Sequence, residues 1–125
     1  MKPRKSRSWF ESAGYAFSGI RNTARRERNF RIQIIMAILA VLACIIFQVN
    51  AMQFVLVGFA IFFVLSTELI NTAIEAIVDM LTGGKAHPLA KIAKDAAAGA
   101  VFLASVFALI VAATIAASVI GRFVE

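Results

Sequence analysis

An uncharged run, IQIIMAILAVLACIIFQVNAMQFVLVGFAIFFVLST, occupies residues 32–67 and separates Arg31 from Glu68. One helical membrane crossing takes about 20 residues, so a run of this length must fold back on itself. We expect the turn at Gln48-Val49-Asn50, where polar residues interrupt the apolar pattern. The run therefore predicts a first span over residues 32–47 and a second over 51–81, the latter extending into the cytosol.

A second uncharged run covers residues 96–121 and predicts a third span, inside a helix over 88–121. It is rich in the small residues that let membrane helices pack closely. With 61% hydrophobic and 16% charged residues, a chain of 125 residues has more apolar surface than a small soluble fold can bury. We predict a single-domain, all-α integral membrane protein over residues 1–125. Its lone Cys44 excludes an internal disulfide and a multi-thiolate metal site.

The distribution of basic residues predicts the orientation of the chain in the membrane. The net charge is +6, and the connection between the second and third spans carries lysines, whereas the turn at 48–53 carries none. Loops rich in Lys and Arg stay in the cytoplasm, so the N-terminus is predicted to lie inside and the C-terminus outside. The hydropathy favours lipid over nucleic acid as the partner of this charge. Nine basic residues precede the first span: Lys2, Arg4, Lys5, Arg7, Arg21, Arg25, Arg26, Arg28 and Arg31.

Residues 1–30 form the predicted cytoplasmic region before the first span. Apolar residues recur there at spacings of three and four, while arginines occupy the other faces. This pattern is typical of an amphipathic helix that lies in the membrane interface and contacts anionic headgroups. The apolar positions are Phe10, Ala13, Phe17, Ile20 and Ala24.

A polar stripe follows the second apolar run without a helix breaker. At about 100° per residue, five polar side chains share an arc of roughly 100° on one helix face. They are Glu68, Asn71, Thr72, Glu75 and Asp79. A rise of about 1.5 Å per residue from Phe54 places Glu68 about 20 Å into a hydrocarbon core about 30 Å thick. Keeping an acid there costs about 3 kcal/mol, so a proton, cation or metal must compensate. Such a carboxylate can be a general base, and a pair can hold Mg²⁺.

The connection after this stripe brings cations to the same side of the membrane. We expect the second span's helix to end at Gly83-Gly84 and the next helix to begin at His87-Pro88. Lys94 and Asp95 then point back towards the acidic stripe, which fits a phosphorylated ligand that carries a metal. A phosphate-binding loop of the G-x-x-x-x-G-K-[ST] type is excluded, because Lys85 is followed by Ala86 and no strand precedes it.

Each candidate residue could also have a purely structural role. Glu68 and Glu75 could form hydrogen bonds that hold an oligomer together. Asp79 could end its helix or pair with Lys91, and His87 could start the next helix. Glu27 could pair with a neighbouring arginine, and Lys94 and Asp95 could form a surface ion pair. At the level of function, intramembrane glutamates would also suit a small transporter, which needs no nucleotide, or a non-catalytic membrane scaffold.

Three segments carry a resemblance over nearly the whole chain: ARRERNF at 24–30, ELINTAIEAIVD at 68–79 and HPLAKIAKDAAAGAV at 87–101. They are similar to the small bacterial diacylglycerol kinase and undecaprenol kinase family, whose members are integral-membrane lipid kinases. The resemblance implies a homotrimer of three-span subunits with an N-terminal surface helix in the bacterial cytoplasmic (inner) membrane. ATP would enter from the cytosol and the lipid hydroxyl from the inner leaflet.

The resemblance also implies roles for individual residues. Glu68 would be the general base that takes the hydroxyl proton of the lipid, and Asn71 would orient the site. Glu27 and Glu75 would coordinate Mg²⁺ on the nucleotide. The ATP site would include Tyr15, Asp79, His87, Lys94 and Asp95, and the lipid approach would be lined by Phe30, Arg31 and Gln33.

Details of these motifs favour one substrate. The runs RERNF and HPLAK are more like the undecaprenol kinase branch, and Ser8 and Gln33 depart from the pattern of the diacylglycerol-specific branch. We therefore expect undecaprenol, a polyisoprenoid lipid alcohol, as the phosphoryl acceptor, with diacylglycerol as the alternative.

Overall fold

The computed structural model describes residues 8–125, and across them it contains four helices. They are α1 (Trp9–Arg26), α2 (Arg28–Ile46), α3 (Ala51–Thr82) and α4 (Pro88–Val124). Helices α2, α3 and α4 are each long and apolar enough to cross a membrane. The prediction of an all-α chain with an amphipathic N-terminal helix and three candidate membrane spans is confirmed. The basic residues Lys2, Arg4, Lys5 and Arg7 lie outside the described residues.

Helix α3 is the centre of the bundle, because both α2 and α4 pack against it and α1 contacts α2 and α3. The buried side chains between the helices are mostly small, including Ala60, Ala97 and Ala104. Most large apolar side chains point outward instead, as expected where lipid replaces water around a helix bundle.

The junction of α1 and α2 is a sharp bend at Glu27, whose backbone is extended. The Arg31 guanidinium donates hydrogen bonds to the carbonyl oxygens of Ala24 and Arg25, both at 3.0 Å, and so caps the end of α1. Phe30 is 1% exposed and is the largest fully buried side chain among the described residues. These contacts fix the direction in which α1 leaves the bundle.

Helix α1 presents aromatic side chains away from the rest of the chain. Trp9 and Phe10 are 91% and 90% exposed, and Phe17 is exposed too. Ser8 caps the helix by accepting a hydrogen bond from the Glu11 amide. An amphipathic helix with unburied aromatic residues has the form of a helix that lies on a membrane surface.

The α2–α3 turn is closed by polar groups. Asn50 and Gln53 form a capping box at the start of α3, and the Gln53 amide also donates to the Ser118 hydroxyl. Arg122 donates to the Phe47 carbonyl at the end of α2, which ties α4 to α2 at this end of the bundle.

The α3–α4 connection is a tight turn built on glycine. Gly83 and Gly84 have φ values of +61° and +79°, in the left-handed region that residues with a side chain rarely adopt. Pro88 occupies the first turn of α4, and His87 caps it by accepting a hydrogen bond from the Leu89 amide. The turn brings the end of α3 against the start of α4.

Candidate active site

A buried acid lies on α3 opposite α2. Glu68 is 5% exposed, and its Oε2 accepts one hydrogen bond, from Gln33 Nε2 at 3.1 Å. Its second carboxylate oxygen accepts none from the described residues. Because α2 supplies only a neutral donor, the charge of an ionised Glu68 is not neutralised by any described ion pair. The carboxylate is therefore positioned with one oxygen held and the other available.

One turn further along α3, Asn71 is 9% exposed and its Nδ2 donates to Glu75 Oε1 at 3.4 Å. The Asn71 amide thus orients the next acid of the stripe. Together with Glu68, these residues form the acidic face of α3, and their side chains run from the buried middle of the helix towards the α3–α4 turn.

Several buried polar atoms near this face have no hydrogen-bond partner among residues 8–125. They are Gln33 Oε1, Asn71 Oδ1 and Thr72 Oγ1. A buried polar group that stays unpaired costs about 1–3 kcal/mol, so unpaired groups gathered around an acid need an explanation. Oxygen atoms of this kind suit a ligand with hydroxyl groups or a hard cation.

A second part of the site lies at the α3–α4 turn. A cavity of about 590 Å³, which we call the loop pocket, lies between the end of α3 and the start of α4. It brings together four of the predicted nucleotide residues, Asp79, His87, Lys94 and Asp95. Tyr15 and Glu27 do not line it. Tyr15 is exposed on α1, and Glu27 lies at the bend between α1 and α2.

Two ion pairs set the charge of the loop pocket. Lys94 Nζ lies 2.6 Å from Asp79 Oδ1, and Lys91 pairs with Asp95 one helical turn away. The alternative in which Asp79 pairs with Lys91 is therefore wrong. Lys94 contacts Asp79 across the α3–α4 turn, whereas Lys91 contacts Asp95 within α4. Lys94 lies before the uncharged segment of α4. Its hydrogen bond to Asp79 raises the pKa of its ammonium group. Lys94 is thus a firmly protonated cation.

Sequence reasoning missed one cation in this pocket. Lys85 lines it, and across residues 8–125 Lys85 has no carboxylate partner. Its position follows from the two left-handed glycines, which turn the chain immediately before it. The GGK run at residues 83–85 is the sequence feature that could have indicated Lys85, although this run does not match a phosphate-binding loop.

A magnesium ion is implied by the resemblance, and the donor chemistry fits one. Within the described part of the chain, no three His, Cys, Asp or Glu side chains form a metal cluster. Mg²⁺ nevertheless needs only one or two carboxylates when phosphates and water supply its other ligands. Glu75 is half-buried, and the neighbouring Asn71 Oδ1 is an unpaired oxygen.

The three residues predicted to line the lipid approach differ in their surroundings. Phe30 is packed inside the chain and Arg31 is engaged with the end of α1. Gln33 both contacts Glu68 and lines an apolar groove between α2 and α4. Of these three residues, only Gln33 contacts both the buried acid and an apolar groove. The lipid-lining role stays a prediction for all three.

Comparison with known proteins places this arrangement in a family. The family model described as prokaryotic diacylglycerol kinase matches residues 14–116. The undecaprenol kinase of Bacillus subtilis is 41% identical over 103 residues, which cover 82% of this chain and 83% of that protein. A diacylglycerol kinase of Synechocystis is 36% identical over 116 residues, 88% of this chain and 66% of that protein. The diacylglycerol kinase of Escherichia coli K12 is 35% identical over 100 residues, 80% and 81% of the two chains. The chain therefore belongs to the prokaryotic diacylglycerol kinase family and is a membrane-bound lipid kinase.

Proposed function

We propose that this lipid kinase transfers the γ-phosphoryl group of ATP to the hydroxyl of undecaprenol at the cytoplasmic face of the bacterial inner membrane. The observation that carries the proposal is Glu68, a buried carboxylate on a membrane helix. One of its oxygens is fixed by Gln33, and the other accepts no hydrogen bond from the part of the chain that the structure describes. A carboxylate in that state can accept the proton of a lipid hydroxyl.

In the proposed reaction the lipid oxygen attacks the γ-phosphorus, the bond to the β-phosphate oxygen of ATP breaks, and Glu68 takes the hydroxyl proton. Asn71 keeps Glu75 oriented beside this centre. Glu27 and Glu75 would hold Mg²⁺, which when bound neutralises charge on the phosphates. Lys94, positioned by Asp79, would contact the phosphates as a point charge, with His87, Asp95 and Tyr15 contributing to the nucleotide site.

Undecaprenol is favoured over diacylglycerol by two observations. The relative named undecaprenol kinase shares 41% identity with this chain, against 36% and 35% for the two named diacylglycerol kinases. The groove that meets Gln33 is almost wholly apolar, which suits an alcohol whose remaining atoms are hydrocarbon. Diacylglycerol is the alternative acceptor, since the family and two of these relatives carry its name.

The subunit arrangement and orientation belong to the same proposal. The resemblance supports a homotrimer, and the excess of basic residues before α2 supports a cytoplasmic N-terminus. Analytical ultracentrifugation in detergent tests the first. For the second, Cys44 is replaced, a single cysteine is introduced at the exposed position Ser12 of α1, and its labelling is measured from either side of sealed vesicles. A monomer, or labelling of the N-terminal region from outside the cell, would contradict them.

Phosphoryl transfer measured in mixed micelles tests the function. Purified protein is given ATP labelled at the γ-phosphate, Mg²⁺, and either undecaprenol or diacylglycerol at equal mole fraction. We expect faster transfer to undecaprenol. Faster transfer to diacylglycerol would contradict the choice of undecaprenol and make diacylglycerol the substrate. No transfer to either lipid by a folded protein would reject the kinase and favour the transporter or the scaffold.

Lys85 provides a separate prediction for the nucleotide site. Lys85→Gln is expected to raise the KM for ATP about three- to fivefold with kcat nearly unchanged, since an exposed charge contact contributes up to about 1 kcal/mol. Lys85→Arg keeps the charge and should stay close to the parent. Arg21→Gln on α1 removes the same charge elsewhere and is the matched control. Equal KM values for Lys85→Gln and its control would remove Lys85 from the nucleotide site.

A further inference from the structure

The bend between α1 and α2 holds an acid whose side chain has no ion-pair partner among residues 8–125. Glu27 is half-buried and lies between Arg26 and Arg28, yet neither arginine is within ion-pair distance of its carboxylate. Its side chain does not cap α2 either, although Glu27 occupies the N-cap position of that helix. The carboxylate is therefore available to a cation that comes from outside the chain.

The backbone of Glu27, in contrast, is held on both sides. Its amide donates to the Thr23 carbonyl at 2.8 Å, and its carbonyl accepts from the Arg31 amide at 3.2 Å. These two bonds continue the helical spacing of four residues across a residue whose own backbone is extended. The direction of the Glu27 side chain thus depends on how α1 and α2 are held against each other.

Helix α1 is attached to the bundle through its last turn. Within Trp9–Arg26 only Thr23 is buried, whereas Trp9 at the start of the helix is 91% exposed. The Arg31 guanidinium joins the last turn to α2, because its Nη1 donates to the carbonyls of Ala24 and Arg25. A helix leaves acceptors free at this end and favours a positive charge there. Among the described residues, Arg31 is the side chain of α2 that hydrogen-bonds to α1.

We propose that Arg31 is a positioning residue whose guanidinium holds the last turn of α1 against α2 and so keeps the Glu27 carboxylate directed towards the nucleotide-bound metal. The inference rests on the proposed function, in which Glu27 and Glu75 hold Mg²⁺. Helix α1 also contacts α3, the helix that carries Glu75, so a change in the direction of α1 would alter the separation of the two acids. Arg31 thereby acts on the nucleotide side of the reaction and not on the lipid approach.

The role predicts a particular kinetic signature. Arg31→Met keeps an unbranched stem and removes every donor nitrogen. We expect the free Mg²⁺ concentration at half-maximal rate to rise about tenfold, and the KM for the lipid alcohol to stay within about twofold, since residues that orient a metal ligand usually affect metal affinity by about 10–100-fold. Arg31→Lys keeps a charged donor near the end of α1 and should recover part of the loss.

The kinetic experiment measures initial rates of the full-length protein in mixed micelles, with Mg²⁺, ATP and undecaprenol varied independently. Arg28→Met is the matched control. It removes the same charge three positions earlier, and the exposed Arg28 side chain forms no hydrogen bond or ion pair within residues 8–125. Oligomeric state and thermal unfolding are measured in the same detergent. If Arg31→Met fails to fold, Arg31→Lys gives the same comparison with smaller changes.

A distance measurement reports the position of α1 without any phosphoryl transfer. Cys44 is replaced, and spin labels are attached at the exposed positions Ser12 on α1 and Thr114 on α4. Labelled chains are diluted with unlabelled protein, so that pulsed electron paramagnetic resonance records distances within one chain. We expect a broader or displaced distance distribution for Arg31→Met than for the parent or Arg28→Met.

The outcomes separate this inference from the function on which it rests. If Arg31→Met keeps either the parental Mg²⁺ requirement or the parental distance distribution, Arg31 does not act through α1 on the metal. A raised lipid KM with an unchanged Mg²⁺ requirement would instead return Arg31 to the lipid approach. A parent that transfers no phosphate would reject the kinase and its metal site, and the distance distribution would then still show whether Arg31 holds α1.

Discussion

Glu68→Gln is expected to lower kcat for phosphoryl transfer to the lipid by about 10²–10⁴-fold, the usual contribution of a general base. The substitution keeps the shape of the side chain, and the new carbonyl oxygen can still accept the hydrogen bond of Gln33 Nε2. A carboxamide has no useful basicity, so the proton of the lipid hydroxyl loses its acceptor. The KM for ATP should change little, because Glu68 does not line the loop pocket.

The fold should survive this change, since it removes the charge of a side chain that is only 5% exposed and leaves its hydrogen bond in place. Thermal unfolding in detergent is therefore expected at or above the parent's midpoint. Glu11→Gln, the same change at an exposed position on α1, is the control for activity. A Glu68→Gln protein that transfers phosphate at the parental rate would make Glu68 a structural residue between helices rather than the general base.

The helical architecture could be predicted because membrane helices are encoded by composition over long windows. A charge-free run of residues 32–67 leaves the chain no other stable form than two spans joined by a turn. The turn chemistry was readable for the same reason, since Gly83 and Gly84 at the end of α3 and Pro88 at the start of α4 have few other structural uses.

The contacts within the site were less predictable, because they depend on how helices pack. Helical spacing placed Lys91 and Lys94 on one face of α4, but spacing alone could not decide which one reaches Asp79. The pairing of Gln33 with Glu68 joins residues 35 positions apart, and no local pattern contains it. Lys85 was set aside because the GGK run at residues 83–85 does not match a phosphate-binding loop, and no other local pattern marks this lysine.

The acidic face of α3 has features that the sequence pattern predicts and others that depend on helix packing. Its three residues belong to the five-residue polar stripe that was found from periodicity, and the burial of Glu68 and Asn71 agrees with that pattern. Which polar atoms stay unpaired could be learned only from the packed structure. Those unpaired atoms, rather than the stripe as a whole, indicate where ligands would bind.

Glu75→Gln is expected to lower kcat/KM for ATP about a hundredfold, which corresponds to about 2.7 kcal/mol of transition-state stabilisation. In the proposed mechanism Glu75 supplies a charged oxygen to Mg²⁺ beside Asn71, and a neutral carbonyl is a much weaker ligand for this hard cation. Asn71 Nδ2 can donate to the new carbonyl as it does to the carboxylate, so the side chain stays oriented. Higher Mg²⁺ concentrations should restore part of the rate.

Two measurements check this expectation independently. Initial rates are recorded against free Mg²⁺ at saturating ATP, and Mn²⁺ binding is followed by electron paramagnetic resonance with a non-hydrolysable nucleotide. The Glu75→Gln variant should require a higher concentration of either metal than the parent or Glu11→Gln. If its metal requirement were unchanged while its oligomer dissociated more readily, Glu75 would belong to a hydrogen-bonded contact between helices. Other residues would then have to bind the metal. Glu27, at the α1–α2 bend, would be the next acid to substitute.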